Sequence, residues 1–201
     1  MVFYIDLKLL PDEEVPIFFI RNKVYTKLHK VIFDLSATDI GISFPYLEKA
    51  KKDDKNEMNF GEVIRIHSTK DRLNELQKLN WLGGLAGYCQ VGEVFSVPDE
   101  VKGHQVISRI RQTMSMAKLS KKIAYLQKKG YLKDNEADSY KKQYKAKLFA
   151  TGLDNPYLEL QSVSTGSKYR LYIQFGELQQ QAVIGEFNRF GLSKTATIPV
   201  F

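Results

Sequence analysis

VFYIDLKLLPDEEVPIFFIRNKVYTKLHKVIF, residues 2–33, is the stretch that decides the fold. Its first part alternates, with Phe3, Ile5, Leu7 and Leu9 on one face and Tyr4, Asp6 and Lys8 on the other, which predicts a half-buried strand. Asp12 and Glu13 then precede Pro16, residues suited to the first turn of a helix. Ile17, Ile20, Val24, Leu28 and Val31 recur at helical spacing, so the helix is expected to run to residue 33.

The pattern continues downstream. DIGISF (39–44) reads as a second strand stopped by Pro45, and KAKKDDKNEMN (49–59) as a polar loop. Gly61 to His67 reads as a third strand. Ser68-Thr69-Lys70-Asp71 resembles a capping box that opens a helix carrying Leu73, Leu76 and Leu79. After the Gly83-Gly84 break, residues 86–97 read as a fourth strand. The order β-α-β-β-α-β is that of a ferredoxin-like α+β unit, complete by Pro98, which predicts a first domain over 1–98. No aromatic pair is placed as an RNA-recognition motif demands, and a fold of this kind does not by itself assign a function.

Residues 99–201 are expected to form a second, α/β part. A strand over 105–112 carries Arg109 and Arg111 on one side and Val106, Ser108 and Ile110 on the other. Ser115 is placed to cap a helix over 115–130 that ends at Gly130. On a helical wheel Met116, Leu119, Ile123 and Leu126 gather on one side. Lys118, Lys121, Lys122, Lys128 and Lys129 gather on the other, with Tyr125 among them. A shorter helix (135–148) follows, then a β-hairpin (157–162 and 168–175) turning at Ser164-Thr165-Gly166-Ser167, and a tail with Phe190-Gly191-Leu192-Ser193-Lys194.

The charge is segregated. The chain of 201 residues has a formal net charge of +7, yet residues 101–150 hold 13 basic and 3 acidic side chains, against 17 and 20 elsewhere. Between residues 101 and 133 there are nine basic residues and no acidic one. That distribution points to a polyanionic partner, nucleic acid first. A solvated face without a ligand is the alternative for such a run taken alone, although ordinary solvated helices mix both signs. A content of 43% hydrophobic residues supports a real core. The single cysteine, Cys89, excludes intrachain disulfides and zinc clusters. The longest apolar run, Pro16 to Ile20, is far too short to span a bilayer. A soluble, cytoplasmic protein is expected, with no membrane association.

Candidates for chemistry are few. Two-metal catalysis needs clustered carboxylates or histidines; Asp53-Asp54 sits in a lysine-rich stretch, and no Asp-x-Asp or His-x-x-x-His spacing occurs. Gly83-Gly84-Leu85-Ala86-Gly87 lacks the Lys-Ser/Thr of a phosphate-binding loop and reads as a turn. No metal or cofactor is therefore expected. His67, near a strand end, reads as structural, and His104 as part of a connecting loop. His29 lies about 100° around the first helix from Leu28, at the boundary of core and surface; by spacing alone it is an ordinary boundary histidine. RNA, however, is cut without metal when a base accepts the 2′-hydroxyl proton, a task suited to imidazole near neutral pH. Ser162, Ser164, Thr165 and Ser193 offer hydroxyls to orient ribose or phosphate, though serines in turns are mostly structural.

Seven segments together carry a resemblance. Lys27-Leu28-His29, IGISFP (40–45), RIHS (65–68), SRI (108–110), SVSTG (162–166), YRLYI (169–173) and FGLSK (190–194) resemble, in this order, the type I-F CRISPR repeat-processing endoribonucleases. The resemblance implies a ferredoxin-like N-terminal domain and a C-terminal part with a basic helix. It implies that His29 is the general base, that Ser162 holds the ribose with Ser164 beside it, and that Tyr169 stacks on the closing base pair of an RNA hairpin. It further implies that Arg109 and Arg111 read purines at the base of the stem, and that the helix bearing Lys118, Lys121, Lys122, Lys128 and Lys129 enters the hairpin groove. Relatives are arginine-rich on that helix; lysine lacks the bidentate fork, so strong electrostatics with less geometric selectivity is expected. Relatives can place a tyrosine before the G-L-S segment where this chain has Phe190, which supports the site without a hydroxyl. Cleavage at the 3′ base of the stem would leave a 2′,3′-cyclic phosphate and a 5′-hydroxyl. The hairpin would be retained, and the protein would join the backbone, large and small subunits of a type I-F surveillance complex. A non-catalytic subunit that only caps the guide RNA is the principal alternative, and a basic DNA-binding module a third.

Overall fold

The computed structural model describes residues 1–47, 60–111, 116–150, 155–162 and 165–201. Two compact units make up the chain: Met1–Arg109 with Pro156–Phe201, and Ile110–Asn155.

The first unit begins as its sequence predicts. β1 (Phe3–Leu9) leads to α1 (Ile17–Asp34), then to β2 (Gly41–Ser43), β3 (Val63–Ser68) and α2 (Lys70–Lys78). The strands form an antiparallel sheet in the order β2-β3-β1-β4, with β1 between β3 and β4 (Cys89–Val91). This is the strand order that a split βαβ unit requires. Ile5, Leu7 and Leu9 of β1 and Ile64 and Ile66 of β3 meet Val24 and Leu28 of α1 and Leu73 and Leu76 of α2 in one core.

Three local expectations are corrected, and one feature of the packing adds to them. The fourth strand is not continuous over 86–97. Gly83–Tyr88 forms a 3-10 turn, and the strand breaks into β4 and β5 (Phe95–Ser96), both paired with β1. Gly92 donates to the Asp6 carbonyl between the two pieces. The cap of α2 is Thr69, whose hydroxyl accepts from the Arg72 amide, while the Ser68 hydroxyl donates to the Asp39 carbonyl. Pro16 precedes α1 as its cap, and Asp12 instead accepts from the amides of Glu14 and Val15. Finally, the outer face of β3 is not solvated. Arg65 makes a two-point ion pair with Asp6 and lies over the rings of Tyr4 and Phe201.

The boundary expected at 98–99 falls inside the first unit. β6 (Gly103–Ile110), β7 (Tyr157–Gln161), β8 (Lys168–Gln179) and β9 (Ile198–Val200) form a second sheet, ordered β7-β8-β6-β9. Its Ile107, Leu158, Leu160, Leu171, Ile173 and Ile198 belong to the same core as β1 and α1. α1 packs against β1 and also against β7. Shared apolar burial thus joins what the chain order separates. β6 starts two residues before the expected strand and includes His104, opposite Pro199, so His104 is not in a loop.

The second unit holds α3 (Met116–Lys128) and α4 (Ala137–Ala150). Leu119 and Ile123 pack with Ala137 of α4, flanked by Leu132, Tyr140 and Tyr144. Met116, expected on the apolar face, stands at the first residue of α3 and is 45% exposed. Ser115, expected to cap the helix, lies outside the described residues, as do Asp53 and Asp54.

Candidate active site

Tyr25, His29 and Phe33 follow one another at four-residue steps and so rise along one flank of α1. Facing them is the turn Asn188–Leu192. Asn188 closes it three times: its side chain accepts from the Phe190 amide at 2.8 Å, its carbonyl accepts from the Gly191 amide, and its amide donates to the Leu192 carbonyl. Gly191 has φ +68°, and a Cβ there would stand 2.5 Å from Ile42 Cγ1 of β2. Only glycine meets both demands, and its carbonyl accepts from the Ile42 amide at 2.9 Å. The turn is therefore pinned to the first sheet.

The pinned turn aims two carbonyls at α1. The hydroxyl of Tyr25, wholly buried, donates to the Phe190 carbonyl at 2.6 Å. His29 Nδ1 lies 2.8 Å from the Arg189 carbonyl. A carbonyl oxygen only accepts, so Nδ1 carries the proton, and in the neutral ring Nε2 is the lone-pair nitrogen. The His29 ring is stacked on Phe190, with centroids 4.1 Å apart and planes 10° from parallel. One hydrogen bond and one ring stack fix both the tautomer and the plane of this imidazole. Burial, and then the neighbouring Tyr169, hold the Tyr25 phenol far above its ordinary pKa, so it stays a donor.

Arg109, at the end of β6, completes the group. Its guanidinium sits 5.1 Å from the centre of the Phe190 ring, and its Nε is buried without a hydrogen-bond partner. Tyr169 on β8 packs against the core that contains Tyr25; burial raises its pKa and the Arg109 charge opposes the rise. His29, Phe190, Arg109 and Tyr169, four residues singled out from the sequence, thus come together from four separate parts of the chain.

The family model described as CRISPR-associated protein (Cas_Csy4) matches residues 4–201. The chain belongs to this family. It is 34% identical over 198 residues to the "CRISPR-associated endonuclease Cas6/Csy4" of Escherichia coli (strain UTI89 / UPEC), covering 98% of both chains. It is equally similar, over the same span, to the protein of that name from Pseudomonas aeruginosa (strain UCBPP-PA14).

The remaining candidates are placed as follows. Ser162 directly follows β7, the strand packed on α1, and its amide donates to the Ser167 carbonyl at 2.9 Å while its own carbonyl accepts from Gly166. Ser164 lies outside the described residues. Ser193, a further hydroxyl candidate, is structural: it is buried and accepts from the amides of Thr195 and Ala196. Arg111 is exposed just past β6 and belongs to the second unit. Lys118, Lys121, Lys122 and Lys128 on α3 and Lys129 just past its end are all exposed, and Lys122 lies 5.9 Å from the centre of the Tyr140 ring. Within their unit they form the one-signed face that the wheel predicts.

A second histidine has a structural task. His67 is fully buried, bonded through Nε2 to the Ser43 hydroxyl at 2.9 Å, and burial with the nearby Arg65 charge pulls its pKa down to about 3. It is a neutral core residue, as its place in a strand suggested. Among the described residues no group of three or more His, Cys, Asp or Glu side chains could hold a metal ion, and no helix is long and apolar enough to cross a membrane. The sequence reading missed Tyr25 and Arg189, which orient the site through a hydroxyl and a backbone carbonyl. Tyr25 had a signal, since it stands one helical turn before His29 beside core residue Val24. A backbone carbonyl leaves none.

Proposed function

We propose that the chain is an endoribonuclease that processes CRISPR repeat RNA, binding the repeat stem-loop and cutting at the 3′ base of the stem without a metal. His29 Nε2 takes the proton of the 2′-hydroxyl. The 2′-oxygen attacks the adjacent phosphorus, and the bond to the 5′-oxygen breaks. The imidazolium returns the proton to that leaving oxygen. The products are a 2′,3′-cyclic phosphate and a 5′-hydroxyl. Ser162 and Ser164 hold the ribose and phosphate, Arg109 and Arg111 read the base of the stem, and Tyr169 stacks on its closing pair. The lysines of α3 neutralise phosphates along the groove. The product stays bound, and the protein serves as the hairpin-holding subunit of a type I-F surveillance complex.

The observation that carries this reading is the His29 arrangement. An imidazole whose Nδ1 proton is committed to a backbone carbonyl keeps Nε2 as a base of fixed direction, as general base catalysis needs. Phe190 lends that ring a plane by stacking, which requires no hydroxyl, so the absence of a tyrosine there is no obstacle. The relatives bear the name of a CRISPR-associated endonuclease, which supports the endonuclease part of the reading. The test is incubation of labelled repeat hairpin with the protein in EDTA. Cleavage to a cyclic-phosphate end is expected; binding without cleavage would make the protein a guide-RNA cap instead, and equal affinity for duplex DNA would make it a DNA-binding module.

A further inference from the structure

Beyond His29, α1 carries a pair of side chains that the proposed reaction does not use. Phe33 stands one helical turn past His29 and is 47% exposed. Over its ring, 4.3 Å from the centroid, lies the guanidinium carbon of Arg189. This is the residue whose carbonyl accepts from His29. Arg189 is exposed, and no ion pair joins it to a carboxylate among the described residues. The nearest carboxylate in sequence to Phe33 is that of Asp34, and it is paired with Lys30. An arginine that lies flat on an aromatic ring has lost little of its in-plane donor capacity, and those donors match phosphate oxygens in geometry.

The order along α1 gives the pair a direction. Tyr25 lies in the core against which Tyr169 packs, and Tyr169 feels the charge of Arg109, on the side proposed to hold the stem. His29 comes next, and Phe33 with Arg189 comes last. Each step of four residues rises about 6 Å, comparable to the spacing of successive phosphates on an RNA strand. A strand running from the stem past His29 would bring the next phosphate to Arg189.

We infer that Arg189, held on Phe33, is the binding site for the first phosphodiester on the 3′ side of the cut. The inference rests on the proposed reading of His29 for its polarity. The pair then gives the substrate an anchor that the product lacks. After scission the flank is held by this one contact and departs, while the stem remains on Arg109, Tyr169 and the lysine helix.

The test compares two hairpin RNAs, each with a 2′-deoxy sugar at the cut so that neither reacts. One ends at that sugar and the other continues into a short 3′ flank. The wild-type protein should bind the flanked RNA about tenfold more tightly, the worth of a charge-assisted phosphate contact. Arg189→Ala keeps the backbone carbonyl that His29 uses, and it should erase this difference while leaving the flankless affinity unchanged. Phe33→Ala should reduce the flank preference about two- to fivefold, as expected from the loss of a cation–π support. A flank preference that survives Arg189→Ala, or none in the wild type, overturns the inference; so does an equal loss of affinity for both RNAs, the mark of a merely structural residue. If the wild type leaves all-ribose RNA whole but shows the Arg189-dependent preference, the endonuclease reading fails and the phosphate site stands.

Discussion

The first unit holds His29 with bonds from far along the chain, whereas the second carries its lysines exposed along one short helix and its end. Around His29 every orienting contact is long-range: Tyr25 and His29 are bonded to residues 190 and 189, and the turn that presents those carbonyls is pinned to β2. In the second unit a small apolar cluster of Leu119, Ile123 and Ala137 packs two helices, and the lysines stand on the exposed side of the first. On the proposed reading, chemistry at one proton demands a fixed direction, which the larger core supplies. Attraction to phosphates demands only density of charge, for which a small unit suffices, even one whose core is marginal by size. That reading predicts that cutting and holding are separable.

The largest effect should come from His29→Ala. Cleavage in single turnover should drop about 10²–10⁴-fold, the usual contribution of a general base, with hairpin affinity unchanged. If affinity falls with rate, the two regions are not separable.

The complementary change acts on α3. With five phosphates neutralised, wild-type affinity should fall about 10²–10³-fold between roughly 50 and 200 mM salt. In Lys121→Ala/Lys122→Ala the slope of log affinity against log salt should shrink by about 2, and cleavage at saturating RNA should fall far less than binding does. A salt slope left unchanged would take α3 out of the interface.

Much of this contrast is legible in the sequence, and its two halves are not equally so. The lysine face is a matter of spacing on a single helix, and the wheel places all five residues. The α1 flank is read nearly as well, because burial there follows a stripe of apolar residues. Arg21 escapes that reading: it is buried among apolar neighbours, bonded to the Gly61 carbonyl at 2.7 Å, and its pKa is lowered to about 10 by burial. No polarity scale would put it inside. The union of the second sheet with the first core also escapes, since it depends on pairing between β6 and strands far along the chain. Phe190 and Arg109 are found only through the family's motifs, and the placement of Phe190 against both His29 and Arg109 has no local signature.

A smaller effect sharpens the claim that the 188–192 turn orients the base. Gly191→Ala introduces a Cβ into Ile42 at a left-handed backbone position, at a cost of about 1–3 kcal/mol in stability. Thermal unfolding should show that loss, and the cleavage rate should fall while the salt dependence of binding stays as in the wild type. A full cleavage rate would show that the turn does not direct His29.

The smallest effect concerns the core beneath the site. His67 is neutral in the fold, with a pKa near 3 against about 6.5 in an unfolded chain. The unfolded state therefore binds more protons between these values, and the contribution of His67 to stability is complete above pH about 6.5 and lost progressively as pH falls toward 3. Chemical denaturation across this window should show a shallower decline for His67→Gln than for the wild type, whatever their stabilities at neutral pH. Parallel declines would mean that His67 is not the titrating group.

The most direct measurement uses a repeat hairpin in which one sugar, immediately 5′ of the scissile phosphate, is 2′-deoxy. The protein should bind it with the affinity of the all-ribose RNA and leave it whole over times in which the ribose form is fully cut. Scission of the deoxy substrate at the same bond would show that the nucleophile comes from elsewhere, and the role given to His29 would be lost.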